Sequence, residues 1–237
     1  MELDLKKIKL RDVNDKLQNL DRKQNQRDFN IINPEGNHAI CAGLTEEMNV
    51  TIKGHVGYYC AGMNQKAQIT IDGNAGTGVA ENMMSGRVHV KGNASQSAGA
   101  TAHGGLLIID GDASSRCGIS MKGVDIVVKG SVGHMSGFMS QSGNLVVCGD
   151  AGEALGDSLY ETNIYIKGNV KSLGADHVID YNISNFEEVL SDYDIAYDLL
   201  GDHVSDHAVE KCCSILKKTA DSHYITLTHP LVSTMAV

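Results

Sequence analysis

Tryptophan is absent from this 237-residue chain, which holds only 2 prolines and 3 phenylalanines. A core so short of bulky aromatics has to be narrow and filled by aliphatic side chains and alanine. Basic tracts are also missing, and the net charge of -9 argues against a nucleic-acid surface. No apolar run approaches the roughly 20 residues needed to cross a bilayer. The stretch Met1–Lys9 is charged throughout, unlike a signal peptide. A cytoplasmic protein with neither membrane nor nucleic-acid partners is therefore expected. Six cysteines are present but form no C-x-x-C pair, which excludes the usual zinc and iron–sulfur spacings. No G-x-x-x-x-G-K-[ST] loop occurs, so the 26 glycines do not announce a phosphate site.

What the glycines do announce is a period. Gly54, Gly73, Gly92, Gly111, Gly130, Gly149 and Gly168 stand 19 residues apart. A short constant period describes a stack of similar coils, each touching only its neighbours. With each glycine as position zero, +15 and +17 are aliphatic in every repeat, from Ile69 and Ile71 to Ile164 and Ile166. Alternate apolar residues predict a short half-buried strand. Val50 and Ile52 continue the series one coil upstream, where Glu35 takes the place of the glycine. Position +1 is a short polar residue or His55, which reads as turn chemistry. Position +2 is always Val or Ala and +7 always Ala or Gly, an inward row and a second tight corner. The prediction is an all-β, single-stranded parallel β-helix of about seven coils, roughly 30 Å tall at a rung spacing of about 4.8 Å.

Two outward rows add detail. Position +18 alternates in sign, Lys53, Asp72, Lys91, Asp110, Lys129, before Cys148 and Lys167, so opposite charges should meet between coils. Position +16 changes from Thr51, Thr70 and His89 to Ile108, Val127, Val146 and Tyr165. An outward apolar row needs a cover, either the C-terminal segment or a partner protein. Cys41, Cys60 and Cys117 share +6 with Val79, Ala98, Ser136 and Leu155, an inward row in which thiols serve as packing. Cys41 and Cys60 would lie on adjacent coils, yet no disulfide is expected in a reducing compartment.

Three segments follow. Residues 1–35 form an extension with an amphipathic helix carrying Leu10, Val13, Leu17 and Leu20, which caps the lower end of the stack. Residues 36–175 are the β-helix. Residues 176–237 form a C-terminal helical segment, with helices over Glu187–Leu200 and Ser205–Lys218 and an apolar stretch, Tyr224–Val237, that docks. Cys212 and Cys213 are neighbours on the second of these helices.

Chemistry-bearing groups are sparse. His203 and His207 have the spacing of two zinc ligands on one helical face, but Val204 stands where a metalloprotease carries glutamate. Glu81 and His103 are acid–base candidates on adjacent coils, within polar loops Met63–Lys66, Glu81–Ser85, Thr101–Gly105 and Gln141–Gly143. No third group stands ready to orient them. No catalytic, cofactor-binding or metal-binding residue is assigned.

The repeats themselves carry a resemblance. Gly54-His55-Val56-Gly57-Tyr58-Tyr59-Cys60-Ala61-Gly62-Met63-Asn64-Gln65, Gly78–Gly86 and Gly149–Glu161 resemble the G-x-x-G-x-x-x-G repeat domain of glutamate synthases, in its stand-alone form. A sister branch is the repeat-bearing subunit of formylmethanofuran dehydrogenase, a tungsten or molybdenum enzyme. The likeness covers about residues 35–175 and finds no counterpart after Asp176. It implies a right-handed β-helix without catalytic residues or cofactors of its own, part of an oxidoreductase complex. Its implied partners are a class II glutamine amidotransferase and an FMN-binding synthase subunit that also holds iron–sulfur clusters; self-association is open. A self-sufficient β-helix enzyme would instead need a groove of clustered carboxylates.

Overall fold

The computed structural model describes residues 1–21 and 25–171, together with three short strands further on. It divides into two units, Met1–Asp176 and His177–Val237.

In the first unit, nine strands lie side by side in chain order, every neighbouring pair parallel. They are β1 (Glu2–Asp4), β2 (Asp28–Ile32), β3 (Asn49–Lys53), β4 (Gln68–Asp72), β5 (Arg87–Val90), β6 (Leu106–Ile109), β7 (Lys122–Val128), β8 (Ser142–Val147) and β9 (Asn163–Ile166). From β3 to β9 the register keeps the 19-residue step, as in Val50 facing Ile69 and Leu145 facing Ile164. A second line of contacts joins the +2 row, from Val56–Ala75 to Ala151–Val170. The chain is therefore a parallel β-solenoid of about seven turns, with +2, +15 and +17 filling its core. The strands are short, three to seven residues, because each turn must leave the sheet to close its coil.

The corner that closes each coil has an unusual backbone. Positions +5, +7 and +9 all take positive φ, for example Tyr59 (58°), Ala61 (58°) and Met63 (54°). Their N–H groups point alternately up and down the stack: Tyr59 donates to Thr77 O, Ala61 to Ile40 O and Met63 to Glu81 O. Small residues hold +7 because the core is already full there. A Cβ on Gly99 would stand 2.6 Å from Ile126 Cδ1.

The zero-position glycines have a different cause from the one expected. Only Gly54 among them has positive φ, so six of the seven are not there to permit a left-handed bend. Five of them, Gly92, Gly111, Gly130, Gly149 and Gly168, instead make room for a side chain from the coil below, and Gly73 makes room for the backbone of Gly54 and His55. Asn93 Oδ1 accepts the Asp112 N–H at 2.9 Å, Asp112 Oδ1 accepts that of Ser131 at 2.8 Å, and Asp150 Oδ1 that of Asn169 at 2.8 Å. A Cβ on Gly111, Gly130 or Gly168 would collide with that same oxygen. Glycine and the polar residue after it are thus one device, a hydrogen-bonded ladder running up the stack.

The N-terminal segment departs from the expected helical extension. The helix α1 (Leu10–Gln18) exists and buries Val13 and Leu17, but β1 and β2 around it are rungs of the main sheet. The helix caps the first coil chemically as well as sterically. Asn14 donates to Ala39 O and accepts from the Cys41 N–H, and Gln18 donates to Ala42 O. Of these, the Cys41 N–H and the Ala42 carbonyl correspond to groups that in higher coils bond to the coil below.

The first coil is also longer than 19. Phe29 pairs with Val50, a step of 21 that holds to Ile32 opposite Lys53, and Pro34, rather than Glu35, packs against Gly54. Ala39, Cys41 and Gly43 then take the positive-φ places of Tyr59, Ala61 and Met63. Cys41 therefore belongs to row +7, and Ile40 joins Cys60 and Cys117 in row +6. The extra residues were invisible in the spacing because they fall before the first zero glycine.

In the second unit, β10 (Ile195–Asp198) pairs parallel with β11 (His223–Thr226), which pairs antiparallel with β12 (Met235–Ala236). β10 replaces the end of the helix predicted over Glu187–Leu200; Ile195 and Tyr197 are β-branched and aromatic residues that favour strands. Tyr224–Val237, predicted only to dock, contributes two strands. The remainder of that helix and the helix over Ser205–Lys218 lie outside the described residues.

Candidate functional site

The acid–base candidates do not converge. Glu81 is half-buried at +8 and turns back along its own coil, where a Cβ on Gly78 would meet its Oε2. His103 is exposed at +11 of the next coil, and no hydrogen bond or ion pair joins the two. The polar loops that contain them are partly structural. Asn64, fully buried, donates to Ala67 O and accepts the Ala67 N–H, fixing its own turn. Thr101 Oγ1 donates to Asn82 Oδ1 at 2.6 Å, one coil to the next. His203 and His207 lie outside the described residues. Among the described residues no three His, Cys, Asp or Glu side chains come together as a metal site.

The densest electrostatic cluster joins two outward rows that sequence spacing had kept apart. Asp110 (+18) meets Lys129 Nζ at 2.7 Å and His89 Nε2 (+16) at 3.0 Å. The Lys129 ammonium holds the Asp110 carboxyl below its ordinary range; partial burial opposes this and His89 reinforces it. Asp72 and Lys91 form the other inter-coil pair of row +18, at 3.5 Å. The alternation of sign is thus realised in pairs, each worth a few tenths of a kcal/mol where exposed. The contact was legible in principle, since His89 and Asp110 stand on adjacent rungs of one face.

The thiols behave as packing. Cys41, Cys60 and Cys117 are fully buried. Burial pushes Cys41 and Cys117 up to about 12 and Cys60 well above its usual value, the nearby Cys41 adding to the last. Cys148 is exposed. An open groove of about 730 Å³ crosses the lower coils, lined by side chains of both signs, among them Arg27, Glu46, Glu47 and Lys66.

What the outer surface presents is rows. Row +16 of the upper coils, Ile108, Val127, Val146 and Tyr165, is half-buried and apolar. The C-terminal cover expected for it lies outside the described residues. A second outward strip, rows +9 and +11, includes the exposed Met63, Met84, Met139 and Tyr160. Sequence reasoning missed this strip, because its apolar members are interleaved with Asn, Thr, Ser and Gln. The rows carry surfaces for contact more readily than groups for bond-making.

With that geometry in view, comparison with known proteins adds one finding. A stretch of 57 residues is 58% identical to Protein GlxC of Rhizobium meliloti (strain 1021). It spans 24% of this chain and 25% of that protein. No family model matches the sequence. No helix among the described residues is long and apolar enough to cross a membrane.

Proposed function

We propose that this chain is a non-catalytic structural subunit of a glutamate synthase-like complex, a right-handed solenoid that positions the active sites of its partners. The observation that carries the reading is the 19-residue register kept from β3 to β9, with one shift at the start of β7–β8 where Lys122 faces Ser142, built on repeats that resemble the stand-alone glutamate synthase domain. A stack locked by strands, corner bonds and a side-chain ladder is stiff along its length. Stiffness is what a spacer between two active sites requires, since a reactive intermediate passes efficiently only when the sites keep their distance and orientation. The partial likeness to Protein GlxC is compatible with the reading without specifying it.

The partners in this reading are a class II glutamine amidotransferase, which releases ammonia, and an FMN and iron–sulfur subunit, which uses it, all in the cytoplasm. The test is affinity purification of the tagged chain from its native source, with subunits identified by mass. Recovery of both partners supports the assignment. Recovery of a molybdopterin- or tungstopterin-binding subunit instead moves the chain to the formylmethanofuran dehydrogenase branch, and a lone chain overturns the proposal.

A further inference from the structure

We propose that the strip formed by rows +9 and +11 is the surface through which a partner subunit grips the solenoid. The inference rests on the reading of this chain as a subunit, and names which of its faces is used. Two rows on six coils give twelve outward positions. Among them Met63, Met84, Met139 and Tyr160 are exposed at 47, 47, 43 and 68%. None of the twelve is Asp or Glu, in a chain with 29 acidic residues and a net charge of -9. The only basic side chains there are His103 and Lys122. Exposed methionine and tyrosine without carboxylates are features of the buried centre of a protein interface, and the neutral hydroxyls and amides at six of the other positions can bond across it.

A separate observation concerns the backbone. Met63 and Met139 hold positive φ, 54° and 51°, where L side chains other than Asn and Asp are disfavoured. Asn82 occupies the same position on the next coil up from Met63 with φ 55°, so the fold accepts the cheaper residue there. A methionine in this place is both strained and exposed, and neither property helps the isolated chain. The fold's own hydrogen bonds require the positive φ, and what folding leaves unexplained is the choice of an exposed methionine where asparagine is cheaper. The corner is also pre-organised, since the N–H groups of Met63, Thr101 and Met139 already bond to Glu81, Ile119 and Asp157 of the next coil. Recognition must therefore be through side chains.

The occupant is a protein of different sequence, presenting apolar pockets with a carboxylate opposite His103 and Lys122. Charge decides against a second copy. In a two-fold, antiparallel pairing of the strip with itself, coil four would face coil three and leave Lys122 without a carboxylate partner, because the strip holds none.

The experiment is methionine oxidation by hydrogen peroxide, read by mass spectrometry on the full chain alone at two concentrations and on the complex purified from its source. In the chain alone, Met63, Met84 and Met139 oxidise quickly while the buried Met83 and Met121 stay slow. In the complex the three fall at least tenfold. Unchanged rates in the complex, or protection already present in the dilute chain, overturn the proposal; protection that appears only at high chain concentration gives the strip to a second copy and overturns it too. A chain that leaves its source as a monomer overturns both this proposal and the functional reading. Protection by partners that are neither an amidotransferase nor an FMN protein overturns the functional reading and leaves the strip standing. As a second arm, the double variant Met63→Asn, Met139→Asn should keep or raise the Tm of the isolated chain and weaken complex formation at least tenfold. A variant that binds as well as the native chain overturns the assignment.

Discussion

Substituting Gly111 tests the ladder most directly. A Cβ there would collide with Asn93 Oδ1 and sit 3.0 Å from Gly92 O. Asn93 Oδ1 is the acceptor for the Asp112 N–H at 2.9 Å, so relief of the clash breaks that bond. Forcing a methyl into a filled space costs about 1–3 kcal/mol, and the lost hydrogen bond adds about 1 kcal/mol. Gly111→Ala should therefore destabilise by about 2–4 kcal/mol. Asn93→Ala alone removes the bond but not the space; because Asp112 is exposed, water replaces the acceptor and the loss is about 0.5–1 kcal/mol.

The double variant decides whether the two residues form one device. With the Asn93 amide gone, the new methyl meets only the Gly92 carbonyl, which can yield by a few tenths of an ångström. The double variant should cost about 1–2 kcal/mol less than the sum of the singles, a coupling expected only of residues in contact. Gly36→Ala is the contrast: nothing lies within 4 Å, but φ is +72°, so about 1 kcal/mol comes from backbone alone. Urea midpoints followed by circular dichroism give the energies, with the m-value checked because a solenoid can lose coils one at a time. Additivity within 0.5 kcal/mol would refute the ladder as the reason for the glycines.

Acid should weaken the Asp110 cluster. The folded-state pKa of Asp110 lies below its ordinary 3.8, so its contribution is full above that value and lost as pH falls through the folded pKa. The stability gap between native chain and Asp110→Asn, measured by thermal melts, should close below about pH 4; a gap that widens there contradicts the pairing with Lys129. Thiol labelling with a disulfide reagent should modify Cys148 rapidly and leave Cys41, Cys60 and Cys117 untouched until the chain unfolds, as peptide mapping will show. Early labelling of Cys117 would contradict its burial. Removing the amide of Asn14 by Asn14→Leu should cost about 1–3 kcal/mol, since the Cys41 N–H loses its acceptor while the Ala39 carbonyl keeps only the Ala42 N–H; amide exchange at Cys41 should rise before that of the upper coils.

The strands were legible because two periods coincide: an apolar residue at every second position, and the pair at +15 and +17 repeated every 19. Chance rarely meets both, and stacked coils impose both. The meaning of the glycines was less legible. Gly-Asn and Gly-Asp pairs look alike whether glycine bends the chain or clears space for a neighbour 19 residues away, and only the contact between Asn93 and Gly111 separates these. Positive φ at +7 showed through, since Ala and Gly hold it throughout. At +5 and +9 it was hidden behind Tyr59, Arg116, Met63 and Met139, residues that local propensity would never place there. Coil-to-coil hydrogen bonds override propensity at those points, and the override leaves no trace in composition. The same reasoning explains why the exposed strip escaped notice. Periodicity reveals what the core demands of the chain, whereas Met63, Met84 and Tyr160 fill positions on which the core makes no demand at all.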